Sequence, residues 1–273
     1  MSLPSSSART ALVTGASSGI GWETSRLLAE RGWTVLVHAP DADAGRRAVE
    51  RLVDAGADRT RLDLAVADFS RLAEVRALAR SVAEAHPTLD VLVNNAAVAA
   101  PERRTLTPDG NELAFQVNFL AAYLLTRELA GPLRARPGSR VVNVSSSMHR
   151  TASIAWNDLS RAQRYSRHAV YAQSQLALTI FARAAASGRA PYTAVSVHPG
   201  ICETALLSLY AHEGDPAAEG AARVARLCDP ATDVVPGAYY DRTALSPAAP
   251  IATEDRTVRR LCKVADRLIA RAA

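Results

Sequence analysis

Two short stretches of the sequence carry groups that could take part in chemistry. The stretch TGASSGIG, residues 14–21, has glycines spaced to allow a tight turn and a close approach of the backbone to a phosphate. The stretch YAQSQ, residues 171–175, places Tyr171 and Gln175 one helical turn apart, so both would lie on one helix face. A tyrosine hydroxyl can donate a proton, whereas a glutamine amide forms hydrogen bonds without carrying charge.

Alternating strands and helices are the elements that would position these stretches. Apolar, β-rich runs predict strands at 10–14, 34–39, 60–64, 91–95, 140–145, 193–198 and 238–240. Most are apolar on both faces, as parallel strands between two layers of helices must be. Between them, helical spacing recurs, as in Leu72, Val75, Leu78, Ala79 and Val82. The pattern predicts an α/β fold with a single-domain, Rossmann-type, doubly wound parallel sheet of about seven strands and helices on both faces.

The glycine stretch lies at a strand-to-helix turn of this predicted fold. Gly15 permits the turn, Gly19 lets the backbone approach a pyrophosphate, and Gly21 allows helix and strand to pack closely. The helix that follows offers free N–H groups and the positive end of its dipole to phosphates. The stretch therefore predicts a dinucleotide-binding loop, and glycines that serve only a turn are the alternative.

Composition excludes several other classes of protein. The chain has 273 residues, of which 48% are hydrophobic, and no apolar run is long enough to span a membrane. Three widely spaced cysteines predict reduced thiols in a cytoplasmic protein and no metal site. The net charge of +5 is dispersed, so no nucleic-acid partner is predicted. Residues 1–8 read as a disordered tail and 9–273 as the domain.

Further motifs make the chain similar to one known family. NNAA (94–97) follows the fourth strand, VNFLAAYLLT (117–126) a helical segment, and VVNVSSS (141–147) contains the fifth strand. HPGICET (198–204) follows the sixth strand. With TGxxxGxG, these motifs resemble the short-chain dehydrogenase/reductase family over residues 9–273. The interval from Ser146 to Tyr171 and the C-terminal sequence look most like its retinol dehydrogenase-like branch.

The resemblance implies a catalytic group made of Asn118, Ser146 and Tyr171, with Gln175 in place of the family's lysine. Ser146 would bond the carbonyl oxygen, Tyr171 would donate its proton to the forming alkoxide, and Asn118 would hold a water. The resemblance also implies cofactor contacts from Gly15, Ser17, Ser18, Gly19, Ile20, Gly21, Asp63, Leu64, Asn94, Ala96, Tyr171, Gln175, Pro199, Gly200 and Thr204.

Cofactor choice depends on the end of the second predicted strand. An acidic residue there binds the ribose 2′-OH of NAD, and an arginine accepts the 2′-phosphate of NADP. Here Pro40 stands where the resembling branch often has arginine, and the nearby polar residues are His38, Asp41, Arg46 and Arg47. Asp63, in RLDL, matches the family's adenine-contacting aspartate. The resemblance implies NADP(H) in preference to NAD(H), and no metal.

Replacement of the family's lysine by Gln175 removes a charge from the site. A unit charge about 4 Å from the tyrosine is worth at most about 4 kcal/mol at an effective dielectric constant of 20. That energy corresponds to roughly a thousandfold in the ionisation of a hydroxyl. Alcohol oxidation should suffer most, because it needs the tyrosine deprotonated. A substitute charge could come from Arg150, Arg164, Arg167 or His168.

Two classes of function therefore remain open. The first is an NAD(P)(H)-dependent oxidoreductase for the carbonyl or alcohol of a small, mostly apolar metabolite. The second is a repurposed fold: a dehydratase, cyclase or isomerase, or a non-catalytic binding protein. The segment 204–230 is predicted to cover the substrate, and the predicted wall residues are His149, Ile154, Trp156, Leu206, Leu207 and Tyr210.

Family resemblance also implies a homodimer. Many relatives pair through the helices that hold Asn118 and Tyr171. The apolar residues of these helices that could form such an interface are Leu120, Leu124, Leu176, Leu178 and Phe181. The alternative is that they are ordinary core residues packed on the sheet.

Overall fold

The computed structural model describes residues 9–186, 190, 192–209 and 213–272, and places one eight-stranded sheet between two layers of helices. The tail predicted for residues 1–8 lies outside the described residues. The strands are β1 (Thr10–Val13), β2 (Thr34–Ala39), β3 (Leu62–Val66), β4 (Val91–Asn94), β5 (Arg140–Val144), β6 (Thr193–His198), β7 (Tyr239–Asp241) and β8 (Ala244–Ser246). Their order is β3-β2-β1-β4-β5-β6-β7-β8, parallel except for the antiparallel β7–β8 pair.

Nine α-helices connect or cover these strands within the described ranges. They are α1 (Gly19–Glu30), α2 (Ala42–Asp54), α3 (Leu72–Ala85), α4 (Leu113–Phe115), α5 (Ala121–Glu128), α6 (Ala130–Arg134), α7 (Arg167–Ala185), α8 (Ala217–Cys228) and α9 (Asp255–Arg271). A π-helical turn, Gln116–Leu120, joins α4 to α5. In the part of the chain that the structure describes, no helix has the length and apolar character needed to cross a bilayer.

Alternation along the strands divides the core into two layers. On β1, Leu12 packs in the cluster formed by α3, α5, α7 and α9, whereas Ala11 and Val13 pack in the cluster formed by α1, α2 and α8. The predicted face of α3, from Leu72 to Val82, is buried as expected. The prediction of a doubly wound parallel sheet is confirmed, and the sheet has one strand more than the seven expected.

Neighbouring β1 and β4 create the crevice of the fold. The chain leaves β1 towards β2 and β3 on one side and returns through β4 to β5 and β6 on the other. Loops that follow adjacent strands therefore diverge at this point and leave space at the carboxyl ends of the strands. The glycine loop follows β1 there, and the sequence NNAA follows β4.

The third strand begins later than predicted. Residues Arg59–Arg61 form a short 3-10 turn, which Asp58 caps by accepting a hydrogen bond from the Thr60 N–H at 2.9 Å. The strand then starts at Leu62 instead of residue 60, and Asp63 pairs in register with Leu36 in the interior of β2. This shift places Asp63 several residues before the carboxyl end of the strand.

Helix α9 covers the face through which a homodimer was predicted. Its apolar face, which includes Val258 and Leu261, packs into the same cluster as α5 and α7, and Asp266 accepts a hydrogen bond from Tyr123 Oη at 2.8 Å. The five apolar residues assigned to the interface are buried within a single chain: Leu120, Leu124, Leu176, Leu178 and Phe181. The alternative of ordinary core residues is therefore the one the structure supports.

Replacing Leu124 by alanine should lower the free energy of unfolding and leave the oligomeric state in solution unchanged. Deletion of a fully buried leucine side chain costs about 2–5 kcal/mol of unfolding free energy, because apolar burial is lost and a cavity remains. Urea unfolding and light scattering on Leu124→Ala measure the two effects. Leu245→Ala is the control, since Leu245 is 59% exposed. If wild type is a dimer that this substitution dissociates, the core assignment is wrong.

Candidate functional site

The loop after β1 can form only with glycine at three positions. Gly15 and Gly19 have φ values of +64° and +54°, a backbone conformation that L side chains rarely adopt. A Cβ atom on Gly15 would lie 2.7 Å from Ala96 Cα, and one on Gly21 would collide with the Gly15 carbonyl oxygen. The loop is therefore a bare backbone cradle at the N-terminus of α1, as a phosphate site requires.

Hydrogen bonds fasten this loop to the loop after β4. Thr14 Oγ1 accepts from the N–H groups of Asn95 and Ala96, each at 2.9 Å. Asn95 Nδ2 in turn donates to the Thr14 carbonyl at 2.8 Å. The neighbouring Asn94 does not face the crevice, because its Nδ2 donates to Thr126 Oγ1 and to Asn143 Oδ1 inside the core.

A cavity of about 410 Å³ runs from the glycine loop to the carboxyl ends of β5 and β6. The residues predicted to bind a cofactor that line it are Gly15, Ser17, Ser18, Gly19, Ile20, Ala96, Tyr171, Gln175, Pro199, Gly200 and Thr204. Ser146, predicted to be catalytic, also lines it. The structure thus brings together, in one space, residues that are more than 150 positions apart in sequence.

Four predicted cofactor contacts do not line the cavity, and this corrects the sequence assignment. Gly21 packs against the Gly15 carbonyl oxygen, and Asn94 is bonded inside the core. Asp63 and Leu64 are on β3, where Asp63 pairs with His86 Nε2 at 3.0 Å on the far side of the strand from the cavity. The carboxylate that lines the cavity is Asp68, followed by Phe69, in the loop after β3. The motif RLDL pointed to Asp63 because the strand was predicted to end at residue 64. The strand β3 runs to Val66, and its exit loop places Asp68, five positions after Asp63, at the cavity.

Helix α7 presents Tyr171 and Gln175 to the cavity, as their spacing predicted. Both are nearly inaccessible in the chain, with 3% and 1% of their surfaces exposed. Gln175 Oε1 is buried and has no hydrogen-bond partner in the described structure. Gln173, between them, points the other way and accepts a hydrogen bond from the Ala155 N–H at 3.0 Å, which anchors the loop before α7. An unsatisfied buried acceptor costs free energy, so a donor from a ligand would stabilise this site.

The predicted catalytic Asn118 lies beside the cavity without lining it. It occupies the π turn, and its Oδ1 accepts from the Val98 N–H at 2.8 Å. Its Nδ2 donates to the Val98 carbonyl at 3.2 Å and to Ser174 Oγ at 3.0 Å. The Asn118 side chain therefore links the loop after β4 to helix α7, next to Tyr171.

None of the proposed substitutes for the missing charge reaches the cavity. Arg150 pairs with Asp241 at 3.3 Å, and Arg167 pairs with Glu102 at 2.5 Å. Arg164 and His168 are exposed to solvent. The lining residues that the structure describes include neither arginine nor lysine, and their ionisable side chains are His38, Asp68, Tyr171, His198 and Cys202.

Three of the six predicted substrate-wall residues, His149, Ile154 and Trp156, have structural roles. Ala249 N–H donates to His149 Nε2 at 3.1 Å, so His149 Nδ1 donates to the Ser146 carbonyl at 2.8 Å. Ile154 is in the core, and Trp156 packs under the Arg260 guanidinium, 4.3 Å from its ring centroid. Leu206 lines the cavity and Leu207 does not. Tyr210 lies outside the described residues.

The covering segment predicted for 204–230 divides into two parts. Thr204 and Leu206 line the cavity, whereas α8 packs against α1 and the sheet through Val224 and Leu227. The helix is therefore a regular layer element of the fold instead of a cover. Regular strand-to-helix alternation would have indicated this, because β6 must be followed by a crossover to the parallel strand β7.

Two buried histidines that the sequence analysis gave no role face the cavity. His38 is the penultimate residue of β2 and lies next to the glycine loop, and burial lowers its pKa to about 4. His198 ends β6 near Ser146, and burial likewise lowers its pKa to about 4. The His198 imidazole has no hydrogen-bond partner within the described ranges. Both rings are neutral at physiological pH, so neither replaces the lysine charge.

Comparison with known proteins identifies the class to which this fold and site belong. A model of the short chain dehydrogenase family matches residues 9–213. Mouse (Mus musculus) polyprenol dehydrogenase is 40% identical over 222 residues, which cover 78% of this chain and 64% of that protein. Mouse retinol dehydrogenase 13 is 36% identical, covering 72% of this chain and 60% of that protein. A solved structure of an uncharacterised Mycobacterium paratuberculosis protein superposes with a TM-score of 0.80 at 29% identity, covering 98% and 96% of the two chains.

The chain belongs to the short-chain dehydrogenase/reductase family, in a branch with retinol and polyprenol dehydrogenases. The resemblance drawn from the sequence motifs is confirmed. The chain spans about 60–64% of the length of the two mouse relatives. Their names describe those proteins.

The buried histidines should make folding stability depend on pH. Because burial lowers the pKa values of His38 and His198 to about 4, the unfolded chain binds more protons than the native one between about pH 4 and 6.5. Stability should be greatest above pH 6.5 and fall towards pH 4, by on the order of 3 kcal/mol for each histidine. Urea unfolding at several pH values measures this fall, and His198→Asn should reduce it. Replacing the exposed His168 by glutamine is the control. If His168→Gln reduced the pH-dependent fall in stability as much as His198→Asn does, the assignment of this fall to the buried histidines would be wrong.

Proposed function

We propose that this protein is a nicotinamide-dinucleotide-dependent oxidoreductase acting on the carbonyl or alcohol of a small, mostly apolar metabolite. The observation that carries the proposal is a single cavity lined at one end by the glycine loop and at the other by Ser146 and Tyr171. A phosphate cradle and a proton donor in one enclosed space suit a reaction in which a bound cofactor and a substrate oxygen meet.

The residues present fit a dinucleotide in two independent ways. The backbone at Gly15, Gly19 and Gly21 leaves a space that any Cβ would fill or strain, which suits a pyrophosphate. At the other end, the unpartnered Gln175 Oε1 can accept a hydrogen bond from a ribose hydroxyl. When bound, such a cofactor supplies or accepts a hydride. The protein's own part is to orient the reacting carbon and to provide a proton from the Tyr171 hydroxyl, with Ser146 as the second polar contact of the substrate oxygen.

The adenosine end does not favour the phosphorylated cofactor that the resemblance implied. Pro40 lines the cavity where the branch often has arginine, and the described lining residues at this end carry no cationic side chain. Asp41 uses its carboxylate to cap α2, accepting from the Ala44 N–H at 2.8 Å. Among the described lining residues, a 2′-phosphate would find no cationic partner. We therefore expect NADPH to bind no more tightly than NADH, against the preference for NADP(H) drawn from the resemblance.

The uncharged site suits carbonyl reduction better than alcohol oxidation. Reduction needs Tyr171 protonated at the start, and the described lining residues include no lysine or arginine that would favour its ionised form. Oxidation needs the tyrosinate, which a neighbouring positive charge would stabilise and which Gln175 does not. The proposed activity is therefore that of a reductase with a modest rate.

A second candidate function rests on Gln175 itself. An amide with a free acceptor oxygen, buried beside Tyr171, could bind the substrate directly in a reaction without hydride transfer, such as a dehydration or an isomerisation. The reductase is favoured because the complete glycine cradle has no use in a reaction that lacks a dinucleotide.

Replacing Gly19 by valine should abolish dinucleotide binding. The backbone at this position has a φ of +54°, and an added Cβ would lie 3.1 Å from Thr204 Cγ2, so the cradle must distort. Isothermal titration with NADH and with NADPH compares the variant with wild type. Gly131→Val is the matched control, because no atom lies within 4 Å of a Cβ at that position in α6. Absence of binding of both cofactors to wild type at millimolar concentration would refute the proposed function.

Restoring the missing charge should raise redox activity. Gln175→Lys is expected to increase turnover roughly ten- to a thousandfold, more for oxidation than for reduction, because the charge favours ionisation of Tyr171. NADH or NADPH consumption with a panel of apolar ketones measures reduction, and cofactor formation with the matching alcohols measures oxidation. Gln175→Met is the control: it changes the side chain to one of similar size to lysine without adding a charge. Tyr171→Phe in the lysine background should cancel the gain. A lysine variant that binds cofactor but gains nothing would favour the second function.

A further inference from the structure

His38 lies between the loops after β1 and β3 at the adenosine end of the cavity. The Gly15 N–H donates to its Nδ1 at 3.0 Å, and its Nε2 lies 3.0 Å from the Ala67 carbonyl oxygen. The ring packs on Phe69 with the centroids 4.2 Å apart, and only 2% of the residue is exposed. The loops after β1 and β3 are thus joined through a side chain of β2.

The partners of His38 specify one protonation state. Because the Gly15 N–H is a donor, Nδ1 must be the acceptor, and the Ala67 carbonyl then requires hydrogen on Nε2. Burial keeps the ring neutral by lowering its pKa. The charged side chains nearby are engaged elsewhere: Asp68 accepts from the Ser70 N–H at 2.8 Å and from Ser70 Oγ at 2.7 Å, and Asp41 caps α2. A protonated ring would set a donor against the Gly15 N–H.

Main-chain bonds alone do not hold Gly15 in place. The His38 carbonyl accepts from the Ala16 N–H at 2.8 Å, and the Ala39 carbonyl accepts from the Ala67 N–H at 3.1 Å. Neither bond involves the amide of Gly15, the residue whose φ of +64° starts the turn of the cradle. In the described structure the imidazole is the partner of this N–H. Both ring nitrogens are used in this way, so neither can bond a ligand.

We propose that His38 is a positioning residue for the dinucleotide: its neutral imidazole holds the Gly15 amide, and thereby the phosphate cradle, in the binding conformation. This inference rests on the proposed function, since it concerns the affinity of the same cavity. The residue acts through the loop and not by touching the reacting atoms. It follows that the acceptor at Nδ1 matters for affinity and that the donor at Nε2 matters much less.

Three substitutions separate these two bonds. His38→Asn keeps an acceptor where Nδ1 lies and loses the donor to Ala67. His38→Gln places its amide where Nε2 lies and loses the acceptor for Gly15, and His38→Leu loses both. We expect the Kd for NADH to rise about tenfold or more in the glutamine and leucine variants and less than about threefold in the asparagine variant, since one hydrogen bond is worth roughly tenfold. Titration calorimetry at pH 7.5 measures the three values.

Hydrogen exchange of the backbone amides tests the position of the loop without a ligand. Exchange in residues 14–21 should be faster in the glutamine and leucine variants and close to wild type in the asparagine variant. Ser139→Ala is the control for general destabilisation, because it removes a buried hydrogen bond, 2.7 Å to the Leu133 carbonyl, at the amino end of β5. It should lower the melting temperature and leave both the Kd and the exchange in this loop unchanged.

The two measurements distinguish failure of this inference from failure of the proposed function. Equal affinities and equal loop exchange in all three His38 variants would overturn the positioning role, even if wild type binds NADH. If wild type binds neither NADH nor NADPH, the proposed function fails. The exchange data then decide whether His38 still orders residues 14–21. Unchanged exchange in His38→Leu would overturn this role of His38 as well.

Discussion

The close packing of backbone against backbone at the start of α1 is the constraint on which the site depends. Gly15 and Gly21 meet without side chains, and the loop after β4 approaches Gly15 to a distance at which a Cβ would collide with Ala96. This approach is possible because β1 and β4 are neighbours whose following connections diverge. The same packing that closes the core at this point therefore leaves Ser17, Ser18, Gly19 and Ile20 lining the cavity.

The rest of the cavity follows from strand order. The carboxyl ends of β1, β2, β4, β5 and β6 lie along one edge, so residues after each strand meet there although they are distant in sequence. Helix α7 crosses this edge and contributes Tyr171 and Gln175. The described lining has no cationic side chain. The physical consequence lies in proton transfer, because the uncharged Gln175 amide does not stabilise the ionised form of Tyr171.

The helix α9 explains why α7 can be apolar on nearly all sides. A helix buried on one side by the sheet needs a second cover on the other, and α9 provides it through Leu261 and Ala265 while its outer face carries arginines. Contacts of Asp266 with Tyr123 and Arg127 hold α9 against α5. Helix α7 is thereby held rigidly from both sides, which keeps the Tyr171 side chain directed at the cavity.

The sequence by itself determined the sheet, the glycine loop and the pair Tyr171 and Gln175, because strand apolarity, glycine spacing and helical periodicity are local properties of the chain. Its motifs also indicated the family. It assigned the adenine contact to Asp63 and could not show that Asp68 lines the cavity instead, since that depends on where β3 begins, and a capped turn at Asp58 sets that point. Nor could it show the role of His38, whose partners come from the loops after two other strands. Those contacts exist only once parallel strands place their carboxyl ends side by side, and no local pattern records that arrangement.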